Sequence, residues 1–137
     1  MIVIDAGALP DFLLGRPLAL EVVLGEIEHH RHEPLHAPEL IEPETLSALR
    51  GLVRGGKVTA DRATEAVADL ASTRMIRYPH GPLRERVWEL RDNLTAYDAS
   101  YLALAEAMDD SVLVAGDGAL LAQARRSLGP DRVRPVE

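Results

Sequence analysis

The 137-residue chain contains no cysteine, which excludes a disulfide scaffold and a thiolate metal site. No apolar run approaches the roughly 18 residues that a membrane span requires. The N-terminus shows no basic segment followed by an apolar one, so no signal peptide is expected and the sequence fits a cytosolic protein. Lysine is nearly absent: of 15 basic residues only Lys57 is one, and the formal net charge is −7. That balance argues against a nucleic-acid partner, because phosphate affinity comes from basic side chains. The argument is softened because arginine is the better bidentate phosphate ligand. Cations gathered by clustered carboxylates also cancel part of the formal charge. Aromatics are scarce (Phe12, Tyr78, Trp88, Tyr97 and Tyr101), and periodicity places several in the core. Few platforms are left for unstacked bases.

Several catalytic signatures are missing as well. Gly51 and Gly55-Gly56 are not followed by the Lys-Ser/Thr of a phosphate-binding loop. Ser47, Ser72, Ser100, Ser111 and Ser127 lack a nucleophile-elbow context. His29, His30 and His32 crowd one helix end instead of showing zinc-ligand spacing. A receiver domain would need an acidic pair beside the first strand and a lysine near the last. A haloacid-dehalogenase-like phosphatase would need an aspartate where Gly7 stands.

With 47% apolar residues, the chain can bury one sizeable core, and a single domain over 1–137 is expected. Met1 to Ile4 is a β-branched run ending in Asp5, read as a buried strand that turns into a helix. Helical segments are expected over about 9–14 (a short helix or turn), 18–30, within 38–54, and over 60–72, 82–90, 96–108 and 118–127. The second to fourth carry the stripes Leu20-Val23-Leu24-Ile27, Leu46-Leu49-Val53 and Ala63-Val67-Leu70. Pro43 requires the third either to start near Glu42 or to kink. Strands are expected at 35–37, 75–77, 111–114 and around Val133. The alternation implies an α/β fold with a parallel sheet covered on both faces.

Four acids stand at element boundaries: Asp5, Glu44, Asp98 and Asp117. Each has a purely structural reading. Asp5 or Asp117 can be a helix N-cap, Thr95-x-x-Asp98 resembles a capping box, and Glu44 complements a helix dipole. Together they read differently. Asp5 and Asp117 follow apolar strands, and Glu44 and Asp98 open helices, so all four belong to the carboxyl edge of one sheet, where such folds bind ligands. Convergent carboxylates repel, and a hard divalent cation relieves them. All-oxygen ligation suits Mg²⁺ or Mn²⁺, a combination that activates water against phosphate esters. Arg50, Arg54 and Arg91 are the candidate phosphate contacts.

These segments also carry a resemblance. Ile4-Asp5-Ala6-Gly7-Ala8, the run from Ala37 to Arg50, the run from Leu94 to Ala107 and the run from Val112 to Leu120 together resemble a PIN domain. More narrowly, they resemble a VapC-type toxin of bacterial toxin–antitoxin pairs, over residues 1 to about 127. The resemblance implies an α/β/α sandwich with a central parallel sheet of four to five strands. It implies a Mg²⁺- or Mn²⁺-dependent endoribonuclease with Asp5, Glu44, Asp98 and Asp117 as the acidic quartet, and Asp5, Asp98 and Asp117 as metal ligands. It further implies an RNA substrate such as tRNA or another structured RNA, a homodimer, and a cognate VapB-type antitoxin that wraps the toxin and blocks its site. The chain departs from the pattern at Ala115, where the family often carries a hydroxyl. Glu42 is a neighbour that could stand in for Glu44. The alternative is a PIN-fold binding module with an eroded site and no nuclease activity.

Overall fold

The computed structural model describes residues 1–136. Five strands, β1 (Ile2–Ile4), β2 (Leu35–Pro38), β3 (Met75–Tyr78), β4 (Val112–Ala115) and β5 (Val133–Pro135), form one sheet in the order β3-β2-β1-β4-β5. Every pairing is parallel. Ile2, Val3 and Ile4 of β1 and Leu113 and Val114 of β4 have no exposed surface. That is the pattern of central strands covered on both faces, and it explains why they read as continuous apolar runs and not as alternating ones.

Among the described residues, seven α-helices complete the α/β/α sandwich: α1 (Ala8–Leu13), α2 (Pro17–His29), α3 (Ile41–Arg54), α4 (Ala60–Ser72), α5 (Arg84–Glu89), α6 (Ala96–Ala107) and α7 (Gly118–Leu128). α1 packs on α2, α3 and α4, while α5, α6 and α7 pack in sequence on one another. This division follows from right-handed crossovers: β1→β2→β3 moves outward in one direction and β3→β4→β5 returns in the other, so their helices take opposite faces. The reversal falls between β1 and β4. Among the described residues, no helix is long and apolar enough to cross a membrane.

Pro43 sits in the first turn of α3, where its missing N–H is harmless, so the helix starts at Ile41 without needing a kink. Thr59 caps α4 by accepting from the Arg62 N–H at 3.1 Å. Three stripe residues differ from expectation. Leu24, Leu46 and Val67 are 51%, 44% and 40% exposed. The helices bury neighbouring, mostly smaller residues in their place: Ala19 and Val23 in α2, Ile41, Thr45 and Leu49 in α3, and Ala63, Ala66 and Leu70 in α4. Short helices set against short strands present a narrow stripe, and small side chains permit closer approach than the hydropathy pattern alone suggests. The segment opened by Pro82 begins as a 3-10 turn over Gly81–Leu83, before the short α5. Of the aromatics, Tyr101 is in the core, whereas Trp88 and Tyr97 are 67% and 63% exposed.

Candidate active site

The reversal point between β1 and β4 is where a doubly wound sheet opens a crevice. A cavity of about 270 Å³ lies there, lined by Asp5, Glu44, Asp98, Tyr101, Gly116 and Asp117, with Ala6, Gly7 and Ala48. All four sequence-predicted acids meet in it. Arg50 and Arg54 lie on exposed positions of α3 and do not line it. Arg91 lines a separate groove beside Trp88.

Asp5 is fixed by backbone. Its N–H donates to the Val114 carbonyl at 3.0 Å, extending the sheet ladder. Its Oδ1 accepts from the Ala8, Gly7 and Gly116 N–H groups at 2.7, 3.1 and 3.2 Å. The Gly116 N–H also lies 3.2 Å from Oδ2. This last bond needs two glycines: a Cβ on Gly116 would stand 3.0 Å from the Gly7 carbonyl carbon, and a Cβ on Gly7 would stand 3.1 Å from the Gly116 Cα. Gly7 and Gly116 therefore permit the contact between the loops that follow β1 and β4.

The capping readings divide. Asp117 is a true N-cap, its Oδ1 accepting from the Leu120 N–H at 2.8 Å. That bond positions Asp117 at the head of α7 without a hydroxyl at position 115, and Ala115 is fully buried. In the Thr95–Asp98 box, Thr95 Oγ1 accepts from the Asp98 N–H at 3.2 Å. Among the described residues, the Asp98 carboxylate makes no return bond to Thr95; it faces the cavity.

Glu44 is distinguished from Glu42 by its partners. Glu42 pairs with Arg77, on β3. Glu44 Oε1 accepts from the Tyr101 hydroxyl at 2.8 Å. Tyr101, 1% exposed, escaped the sequence reading. Its position three residues beyond Asp98 puts both on one helical face, and that was the available signal.

The electrostatics are those of an anionic pocket without a counter-charge, since no basic side chain lines it. Burial pushes Asp5 up to about 7, partly offset by the Ala8, Gly116 and Gly7 N–H bonds, with the charge of Asp98 adding to the rise. Asp98 is pushed up to about 6, first by burial, then by the charges of Asp117 and Glu44 and by its hydrogen bond with Asp117. Burial also raises Glu44, against the lowering effect of the Tyr101 hydroxyl. Burial, followed by its bond to Glu44, keeps Tyr101 a phenol that donates. Among the described residues, no three acids stand together as a finished coordination shell. The donor set itself, hard oxygens around a cavity with excess negative charge and room for bound water, fits a divalent cation of the Mg²⁺ or Mn²⁺ kind.

No family model matches the chain. Ribonuclease VapC9 of Mycobacterium tuberculosis is 38% identical over 115 residues, 84% of this chain and 85% of that protein. Ribonuclease VapC1 of the same organism is 38% identical over 121 residues, 88% of each. Ribonuclease VapC12 is 31% identical over 108 residues, 79% of this chain and 81% of the relative. The crystal structure of PAE2754 from Pyrobaculum aerophilum superposes with a TM-score of 0.67 at 28% identity, over 98% of this chain and 83% of that one.

Proposed function

This chain belongs to the VapC ribonucleases, proteins of PIN-like fold, and on that premise we propose that it is the toxin of a toxin–antitoxin pair and cleaves RNA at the Asp5–Glu44–Asp98–Asp117 cavity in a metal-dependent reaction. The observation that carries the reading is the convergence of these four acids on one cavity with no basic side chain in its lining.

Asp5, Asp98 and Asp117 would hold Mg²⁺ or Mn²⁺. The bound cation would neutralise the scissile phosphate and lower the pKa of water at the site. The chain's own residues do the rest. The backbone N–H groups of Gly7, Ala8 and Gly116 fix the Asp5 carboxylate, so one ligand is preorganised. The cap bond to Leu120 does the same for Asp117. Tyr101 holds Glu44 at Oε1, leaving Oε2 to accept a proton from the attacking water. Exposed arginines, Arg50 and Arg54 among them, approach the RNA backbone from outside the cavity.

A cognate VapB-type antitoxin is the expected partner, and a net charge of −7 complements a basic antitoxin segment. A homodimer is the expected assembly, formed from the single domain over 1–137.

The test is cleavage of a pool of tRNA and other structured RNA by the antitoxin-free protein, with Mg²⁺, with Mn²⁺ and with chelator. Discrete metal-dependent fragments, absent from an Asp98→Asn control, are expected. Equal cleavage by that variant would overturn the assignment of the site.

A further inference from the structure

On the other side of the first turn of α6 from the carboxylates lies a groove of about 820 Å³, whose lining includes Arg84, Val87, Trp88, Arg91, Leu94 and Thr95. In a chain of net charge −7, no acidic side chain lines it. Trp88 is 67% exposed, an unusual position for the largest apolar side chain. The Arg91 guanidinium lies 4.6 Å from the Trp88 ring centroid and donates to the Trp88 carbonyl at 2.9 Å, which holds the cation against the ring. Arg84 is exposed, and among the described residues its side chain has no hydrogen bond or ion pair. Glu85, which follows Arg84 on α5, lines a neighbouring hollow shared with Arg84 and Trp88.

The groove and the carboxylate cavity flank the start of α6 from different sides. Ala96 and Ser100 of α6 line the groove, and Asp98 and Tyr101 line the cavity. Tyr97, 63% exposed, lies between them and lines a third hollow with Leu40 and Glu44. His80, in the groove wall, accepts from the Leu40 N–H at 3.2 Å.

We propose that the groove between α5 and α6 binds an unstacked nucleotide of the RNA substrate beside the scissile bond, its base on Trp88 and its phosphates on Arg84 and Arg91. The proposal rests on the ribonuclease reading above. Aromatic faces joined to arginines form the surface that single-stranded RNA selects: every base has a stacking face and every linkage a negative charge. A purely apolar partner would desolvate both guanidinium groups and leave that of Arg84 unpaired, so the charge of the groove favours the polyanion.

Trp88 is the sole tryptophan, so its fluorescence reads the groove directly. The metal-free, full-length protein is titrated with a short oligoadenylate. Saturable quenching is expected, weakened at least about tenfold in the Arg84→Ala/Arg91→Ala variant. The slope of log affinity on log salt should fall by about 1.4 for two lost phosphate contacts. In cleavage assays Trp88→Ala should raise KM at least about tenfold rather than lower kcat, and Trp88→Phe should restore most of the loss. An unchanged KM for Trp88→Ala in an active enzyme, or no quenching, would overturn the groove and leave the nuclease standing. Quenching without cleavage by any form of the protein would retain the groove and remove the nuclease. A Trp88 signal that changes with protein concentration alone, together with a dimer lost in Trp88→Ala, would assign the face to a second copy of the chain and overturn the proposal.

Discussion

Replacing Asp5 with asparagine should make the metal-free protein more stable while abolishing its activity. Asp5 is 2% exposed, and its pKa rises from 3.8 to about 7. The folded state therefore binds the Asp5 proton more tightly than the unfolded chain does between about pH 4 and about pH 7, and stability falls as pH rises through that window. At 1.36 kcal/mol per unit, a shift of about 3 units makes the ionised carboxylate cost about 4 kcal/mol at pH above 7. Asparagine keeps an Oδ1 acceptor for the Ala8 and Gly7 N–H groups but forfeits the charge-assisted part of these bonds and a good acceptor at Oδ2, a loss of about 1–2 kcal/mol. The net gain of about 2–3 kcal/mol corresponds to a melting temperature higher by roughly 6–10 °C in a domain of this size. The assay is thermal unfolding in chelator across about pH 5 to 8, parent against variant. The difference should grow with pH, and millimolar Mg²⁺ should stabilise the parent only, because a ligand stabilises only a state that binds it. A variant that melts at or below the parent at about pH 8 in chelator would refute the account of Asp5 as a site strained for function.

The other predictions concern its neighbours. Tyr101→Phe removes the donor that orients Glu44 and should lower kcat roughly tenfold or more, with the melting temperature little changed; an unchanged kcat would remove Tyr101 from the site. Gly116→Ala places a Cβ 3.0 Å from the Gly7 carbonyl carbon and should destabilise by about 1–3 kcal/mol and abolish cleavage, whereas Gly118→Ala, with nothing within 4 Å, is the harmless control in a denaturant titration. Glu44→Gln should reduce cleavage by about a hundredfold or more, while Glu42→Gln, which touches only the Arg77 pair, should retain activity; the reverse ranking in rate measurements would exchange their roles.

Much of the fold was legible because its signals are local. β-branched runs next to glycine and the helix-starting Pro43 and Thr59 depend on neighbours a few residues away, and they located the elements to within one or two residues. The acids were legible for the same reason: each closes a strand or opens a helix. The stripes of α2, α3 and α4 were less so, because which of two adjacent apolar residues turns inward depends on what faces it. Leu24, Leu46 and Val67 face outward for that reason. Tyr101 and Arg77 were missed because their partners, Glu44 and Glu42, lie 57 and 35 residues away.

By itself, the sequence determined the class of fold, the identities of the four acids and the excess of negative charge at one sheet edge, because these follow from residue types and short periodicities. Only the tertiary structure decided the strand order that brings β4 beside β1. With it came the close passage of Gly7 and Gly116 that aims an N–H at Asp5, the placement of Glu44 in the cavity and of Glu42 against Arg77, and the exposure of Trp88 beside two arginines. Those features are contacts between segments far apart in the chain, set by packing complementarity, and no local propensity encodes them.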